Sequence, residues 1–179
     1  MFRRLQLLLT ALLLPAAPLP AAAPAVPPLE YEVKAVCVLN VARFVEWPKT
    51  AFKDDSAPFV IGVLGDNPFG SLLEEAVKNE TVRRRRIIVR SVTLTEAATG
   101  CQILFVSRSE KENLPAIFAA MEKSSALTIS EIEGFTHEGG MLGLALEGGK
   151  IRFELNRHAA HAARLKIDSQ FLMLCRITP

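Results

Sequence analysis

Four short, mostly apolar runs constrain this chain more than anything else in it: Phe59–Leu64, Ile87–Val92, Ile103–Ser107 and Leu127–Ser130. A strand with one wet face alternates apolar and polar residues. Phe59-Val60-Ile61-Gly62-Val63-Leu64 and Ile103-Leu104-Phe105-Val106 do not alternate, so both of their faces must be covered. Helix-start signals stand between the runs. Asp66-Asn67-Pro68 offers a cap followed by a proline, opening a helix to about Lys78. Ser109-Glu110-Lys111-Glu112 reads as a capping box, opening a helix to about Lys123. Strands buried on both faces and alternating with helices define an α/β fold of three layers, with a Rossmann-like, mostly parallel sheet.

The flanks of that pattern differ from its middle. Glu30–Trp47 reads as a helix, with Val33, Cys37, Asn40, Phe44 and Trp47 spaced along one apolar face. Pro48 stops it, because a residue before proline avoids the α region. Asn40 in that face needs a hydrogen-bond partner. Met141–Leu146 and Lys150–Leu155 meet around Gly148-Gly149, which is the signal for an antiparallel hairpin near the C-terminus. Asn156 can cap a helix over Arg157–Arg164. Asp168 or Ser169 can cap a last, apolar and buried helix through Ile177. The first and last helices are then expected to pack together, since each has an unmatched apolar face.

The N-terminus has a separate logic. Arg3 and Arg4 precede the aliphatic run Leu7–Leu14, and prolines and small residues follow up to Ala25. Eight residues, Thr10 the one polar member, are too few to cross a bilayer, which takes about 20. The pattern is that of a secretory signal peptide over 1–25, cut before Val26, leaving one domain over 26–179. Export from a bacterial cell places that domain in the oxidising periplasm. The 21 basic residues include Arg3 and Arg4, so without the leader they balance the 19 acidic ones. A neutral domain whose basic cluster is Arg83–Arg86, without interleaved aromatics, is a poor nucleic-acid binder; a solvated turn is the better reading.

The search for chemistry returns little. The sequence has no G-x-S-x-G, no phosphate loop and no G-x-G-x-x-G. Glu154, His158 and His161 are too few ligands for a metal site, so neither metal nor cofactor is expected. No nucleophile stands beside a base, and an enzyme is not expected. Cys37, Cys101 and Cys175 cannot form a scaffold. If one bridge forms, Cys37–Cys175 is the expected pair, because both would lie on the two helices that pack together. A small-ligand site would use the crevice at the carboxyl ends of the strands: Gly65, Asp66, Asn67, Ser107 and Ser130.

The stretch Lys34-Ala35 through Asn40-Val41-Ala42-Arg43-Phe44-Val45-Glu46-Trp47-Pro48 resembles the opening signature of the YfiR family of periplasmic regulators. Cys101-Gln102-Ile103-Leu104-Phe105-Val106-Ser107 is similar to that family's C-H-I-L-F strand, with Gln102 where histidine is usual. Leu127–Ser130, Gly134-Phe135, Gly139-Gly140-Met141 and Ile151–Asn156 follow in the family's order, so the resemblance spans about residues 30–178. The chain departs from the family at Cys37 and Val38, and at Gly143 and Leu144 in the hairpin. The resemblance implies a non-enzymatic regulator that represses a membrane-bound diguanylate cyclase through its periplasmic domain, and so controls cyclic-di-GMP and biofilm formation. It also implies relief by an outer-membrane lipoprotein; self-association into a homodimer is left open. Within the signature, Arg43, Glu46 and Trp47 are expected to border the partner surface, since an exposed arginine beside a part-buried tryptophan is typical of binding hot spots.

Overall fold

The structure is a computed structural model and describes residues 28–179. The expected leader and its cleavage point before Val26 lie outside the described residues. Helix α1 (Pro28–Phe44) leads into a two-residue strand, β1 (Val45–Glu46). The four apolar runs are strands: β2 (Phe59–Leu64), β4 (Arg85–Ser91), β5 (Ile103–Val106) and β6 (Leu127–Ser130). They pair in parallel in the order β4-β2-β5-β6. The hairpin β7 (Leu142–Glu147) and β8 (Lys150–Asn156) joins β6 in parallel through β7. Its turn is Gly148-Gly149, with φ of 57° and 75°, a left-handed pair that residues with a Cβ rarely adopt. The mostly parallel α/β architecture with a C-terminal antiparallel hairpin is therefore as expected.

Two apolar layers cover the sheet. On one face α1 and α2 (Leu72–Val77) bury Phe59, Ile61, Ile103, Phe105 and Ile129. On the other, α3 (Leu94–Gly100) and α4 (Leu114–Met121) bury Val60, Leu104, Val106 and Ile117. Helix α3 is absent from the sequence expectation, although its capping box is complete. Thr93 Oγ1 accepts from Glu96 N–H, and the Glu96 carboxylate accepts from Thr93 N–H at 2.8 Å. The box expected at Ser109 does not form. A 3₁₀ segment runs over Arg108–Asn113, and Pro115 helps to start α4.

Three flanking expectations need correction. Helix α1 ends at Phe44 rather than Trp47, because Val45–Glu46 pairs with β9 (Lys166–Ile167), a contact 120 residues away that no local signal announces. Its buried side is Ala35, Val38, Leu39, Val41 and Ala42, one residue round from the expected stripe, and Val33 is exposed. The last helix is also shorter. Asn156 caps α5 (Arg157–Ala162), Asp168 caps α6 (Ser169–Leu172), and Cys175–Thr178 becomes β10, a parallel edge strand on β8. Met173, Leu174 and Ile177 are thereby exposed rather than buried, Met173 by 80%. The first and last helices still meet at their near ends, where the Phe44 and Phe171 rings stack 5.6 Å apart. Cys175 sits on that edge strand, and Cys37, Cys101 and Cys175 are all free thiols, so the expected Cys37–Cys175 bridge is not formed. The pairing presumed that both cysteines lie on the packed helices, and Cys175 lies beyond the last one.

Candidate functional site

Helix α1 spans the molecule from the carboxyl ends of the strands to their amino ends, and each of its ends is tied down by buried polar contacts. At the amino-end side stands Trp47, 7% exposed. Its ring packs edge-on against Phe59 at 4.9 Å, and its indole N–H donates to the Gln102 carbonyl at 2.9 Å. Gln102 is a junction. Its side-chain oxygen accepts from Val60 N–H at 2.7 Å, and its amide nitrogen donates to the Ala51 carbonyl. One side chain thus fastens β2, β5 and the turn after Pro48 together.

Arg43 and Glu46 point elsewhere. Arg43 is 46% exposed and pairs with Glu80 at 2.6 Å. With Glu46, Arg83 and Lys166 it lines a shallow depression of about 160 Å³. The structure therefore brings Arg43 and Glu46 together at the surface and separates Trp47 from them, as an anchor beneath. The basic cluster forms the two-residue turn between β3 (Thr81–Val82) and β4, with Arg83 and Arg84 at positive φ. Arg85 folds back from it, 4.0 Å over the Phe52 ring, and donates to the Ala57 carbonyl. Only part of the cluster is a solvated turn.

At the carboxyl-end side a charge cluster is buried that sequence reasoning missed. Lys34 and Glu131 each have side chains 1% exposed and are ion-paired. Glu30, one helical turn before Lys34, pairs with the same ammonium. The Glu131 carboxylate also accepts from the Tyr31 hydroxyl at 2.9 Å and meets Arg108 at 3.2 Å. Burial, then the hydrogen bond to Glu131, pushes the Tyr31 phenol up to about 12. Lys34 looks like a solvated helix residue in sequence. The available signal was its place beside Ala35 and Val38 on the buried side, which appears only when the stripe is set correctly.

The expected crevice does not gather into a pocket. Gly65, Asp66 and Asn67 lie exposed on a turn held by local hydrogen bonds. Asp66 N–H donates to Ser109 Oγ at 3.0 Å, and Asn67 Oδ1 accepts from Phe69 N–H. Ser109 and Glu110 fill the space beside Gly65, where a Cβ would come within 2.4 Å of Ser109 Oγ. Ser107 and Ser130 are buried, and the Ser130 hydroxyl donates to the Val106 carbonyl and accepts from Ile132 N–H. The large concavity at this end, about 580 Å³, lies one strand further along, between Lys34, Arg108 and Glu131 on one side and Leu144–Glu147 on the other. Glu154 pairs with Arg176 on β10, not with His158 or His161. Burial raises all three thiols, Cys175 to about 11.

The fold and its two anchored ends define a three-layer α/β domain with a mostly parallel sheet and a charged cleft at the carboxyl ends of its strands. The chain belongs to the YfiR/HmsC-like family, which it matches over residues 31–176. Its backbone is also similar to the crystal structure of a conserved domain protein from Vibrio cholerae O1 biovar El Tor, with a TM-score of 0.55 at 9% identity. That match covers 83% of this chain and 60% of the other, so the chain spans well under two thirds of that relative, and the likeness is one of fold. Among the described residues, no helix is long and apolar enough to cross a membrane.

Proposed function

We propose that this chain is an exported regulator that acts by binding rather than catalysis. In this reading the leader over 1–25 is removed, and the domain over 26–179 works in the periplasm. It binds and represses the periplasmic domain of a membrane-bound diguanylate cyclase, and so controls cyclic-di-GMP and biofilm formation. An outer-membrane lipoprotein is the second partner, relieving the repression. Membership of the YfiR/HmsC-like family supports the theme. The observation that carries it to particular residues is the depression lined by Arg43 and Glu46, both of which are exposed.

Arg43→Ala and Glu46→Ala test this. Their melting temperatures should stay near native, because an exposed ion pair contributes about 0–1 kcal/mol. At least one should weaken binding of the cyclase periplasmic domain by about 1–2 kcal/mol, five- to thirtyfold in Kd. Two stable variants that bind and repress normally would refute the assignment. Intact mass of the exported protein tests the leader; a mass retaining Met1–Ala25 overturns that part.

A further inference from the structure

The domain is neutral as a whole and polarised along its sheet. Four stretches sit at the end where the parallel strands begin. Residues 43–58, 78–86 and 122–126 lead into β2, β4 and β6, and 157–168 reaches the same end through the pairing of β9 with β1. Arg164 in the last of these lines one concavity with Thr50 and Lys123. Together the four carry twelve basic and six acidic side chains, an excess of six positive charges. The other end is made of 28–35 in α1, the stretches 65–75, 92–96, 107–113 and 131–141 that leave β2, β4, β5 and β6, and the hairpin tip 147–150. These carry four basic and twelve acidic side chains, an excess of eight negative charges. The remaining charges of the described residues, Arg90, Arg152, Glu154 and Arg176, lie on strands between the two ends.

Part of this polarity is what helices ask for. Helices α1–α4 all point their N-termini at the acidic end, where carboxylates complement the backbone dipole. Each helix end is equivalent to about half a charge, so the four offset about two charges at each end and leave the polarity standing. The densest part of the basic excess is not at a helix end at all. It is Arg83–Arg86, in the hairpin of β3 and β4. Arg83 and Arg84 form its turn with φ of 51° and 67°, close to the 57° and 75° of Gly148-Gly149 in the other two-residue turn. Glycine and asparagine suit that backbone, and two arginines work against it. The ion pairs at this end go to Arg43 and Arg85, from Glu80 and Asp55. Among the described residues no carboxylate reaches Arg83, Arg84 or Arg86. Turn stability therefore does not explain the arginines. What they supply is unpaired positive charge, and Arg83 brings it to the rim of the depression that Arg43 and Glu46 line.

We propose that the strand-entry end docks on an acidic protein surface, with Arg83 and Arg84 as its leading charges, and that the domain's own dipole turns this end toward the partner before contact. The inference rests on the proposed partner site for its place, at Arg43 and Glu46, and adds the chemistry of what docks there. A membrane surface fits less well. Basic segments that settle on anionic lipid bring apolar side chains to insert. The seven exposed large hydrophobics of the described residues all fall outside these four stretches. Six carboxylates also interrupt the basic end, a mixed pattern that a folded partner can match and a uniform anionic sheet cannot.

The test follows association of the whole protein with the cyclase periplasmic domain at low and high ionic strength. Arg83→Asn together with Arg84→Gly gives the turn residues that suit positive φ. This variant should melt higher than the native protein and yet associate about tenfold more slowly at low ionic strength. The gap should close at high ionic strength, where the charges are screened. Glu133→Gln with Glu138→Gln, at the acidic end, should not slow association. A second probe does not depend on the partner's identity: an N-acetylated, C-amidated peptide of alternating Glu and Ser. At low ionic strength it should shift the amide resonances of 83–86 and not those of 131–138, and vesicles of anionic phospholipid should bind more weakly than the peptide. Binding of the peptide without any binding of the cyclase domain would refute the cyclase reading and leave the docking end standing. An Arg83→Asn, Arg84→Gly variant that associates with the cyclase domain at the native rate overturns the proposal, as does a peptide that leaves 83–86 unmoved. Vesicles that hold the protein more tightly than the peptide also overturn it, by giving this end to the membrane.

Discussion

The two ends of α1 are held by opposite chemistry. At Trp47 the tie is a large aromatic surface with one hydrogen bond, while at Lys34 it is a buried ion cluster beside the Tyr31 ring, which meets Phe69 edge-on at 5.8 Å. A buried ring contributes through the area it removes from water and the atoms it touches. A buried ion pair gains little net, because desolvation offsets the Coulomb attraction, yet it is costly to break from one side. The aromatic end should therefore carry stability, and the ionic end should carry placement of the cleft wall.

The largest effect should come from the aromatic end. Trp47→Ala removes a buried ring and its hydrogen bond to Gln102, and should cost about 3–5 kcal/mol in urea unfolding. Lys34→Met should cost about 3 kcal/mol, the low end for a broken buried pair, because Glu131 keeps Arg108 and Tyr31. Adding Glu131→Leu to Lys34→Met should recover most of that loss. A double variant no more stable than the single would show that the cluster itself stabilises the fold, and would erase the contrast between the ends. Tyr31 gives a subtler signal. Its folded pKa of about 12 lies above its ordinary value of 10, so the folded state holds the phenol proton more tightly. That contribution is complete below pH 10 and is lost as pH rises toward 12. Tyr31→Phe should flatten the stability profile in that window; an unchanged slope would remove Tyr31 from the cluster's energetics. The smallest effect belongs to the surface: Arg43→Ala should change stability by about 0.5 kcal/mol or less.

What the sequence revealed follows the range of the interactions involved. The buried strands and the glycine hairpin are written in runs of adjacent residues, so Phe59–Leu64 and Leu127–Ser130 could be read to the residue. The end of α1 could not, because Val45 leaves the helix to pair with Ile167. Phe171–Cys175 and Ile177 read as one apolar helix, and only the vacant edge of β8 makes the tail Cys175–Thr178 a strand. Thr93-x-x-Glu96 and Ser109-x-x-Glu112 carry the same capping-box pattern, and only the first forms. At the candidate site, Arg43 and Glu46 were legible as the flank of a helix stripe. Trp47's separation from them was not, since it depends on where the helix stops. Lys34, Arg108 and Glu131 come from three distant segments, and nothing local marks any of them as buried.

The same two ties also differ in when they can form. Trp47 closes onto Gln102 across 55 residues of chain, and Lys34 onto Glu131 across 97. Loop-closure entropy grows as the logarithm of length, which favours the shorter closure by about 0.5 kcal/mol. The larger difference is solvation. A tryptophan ring gains as soon as it meets any apolar surface, whereas a lysine and a glutamate stay hydrated until their enclosing walls are complete. Folding should thus run along α1 from its C-terminal end. The chain's single tryptophan would then report the early event by fluorescence, and the cleft wall at Glu131 would be among the last parts of the molecule to set.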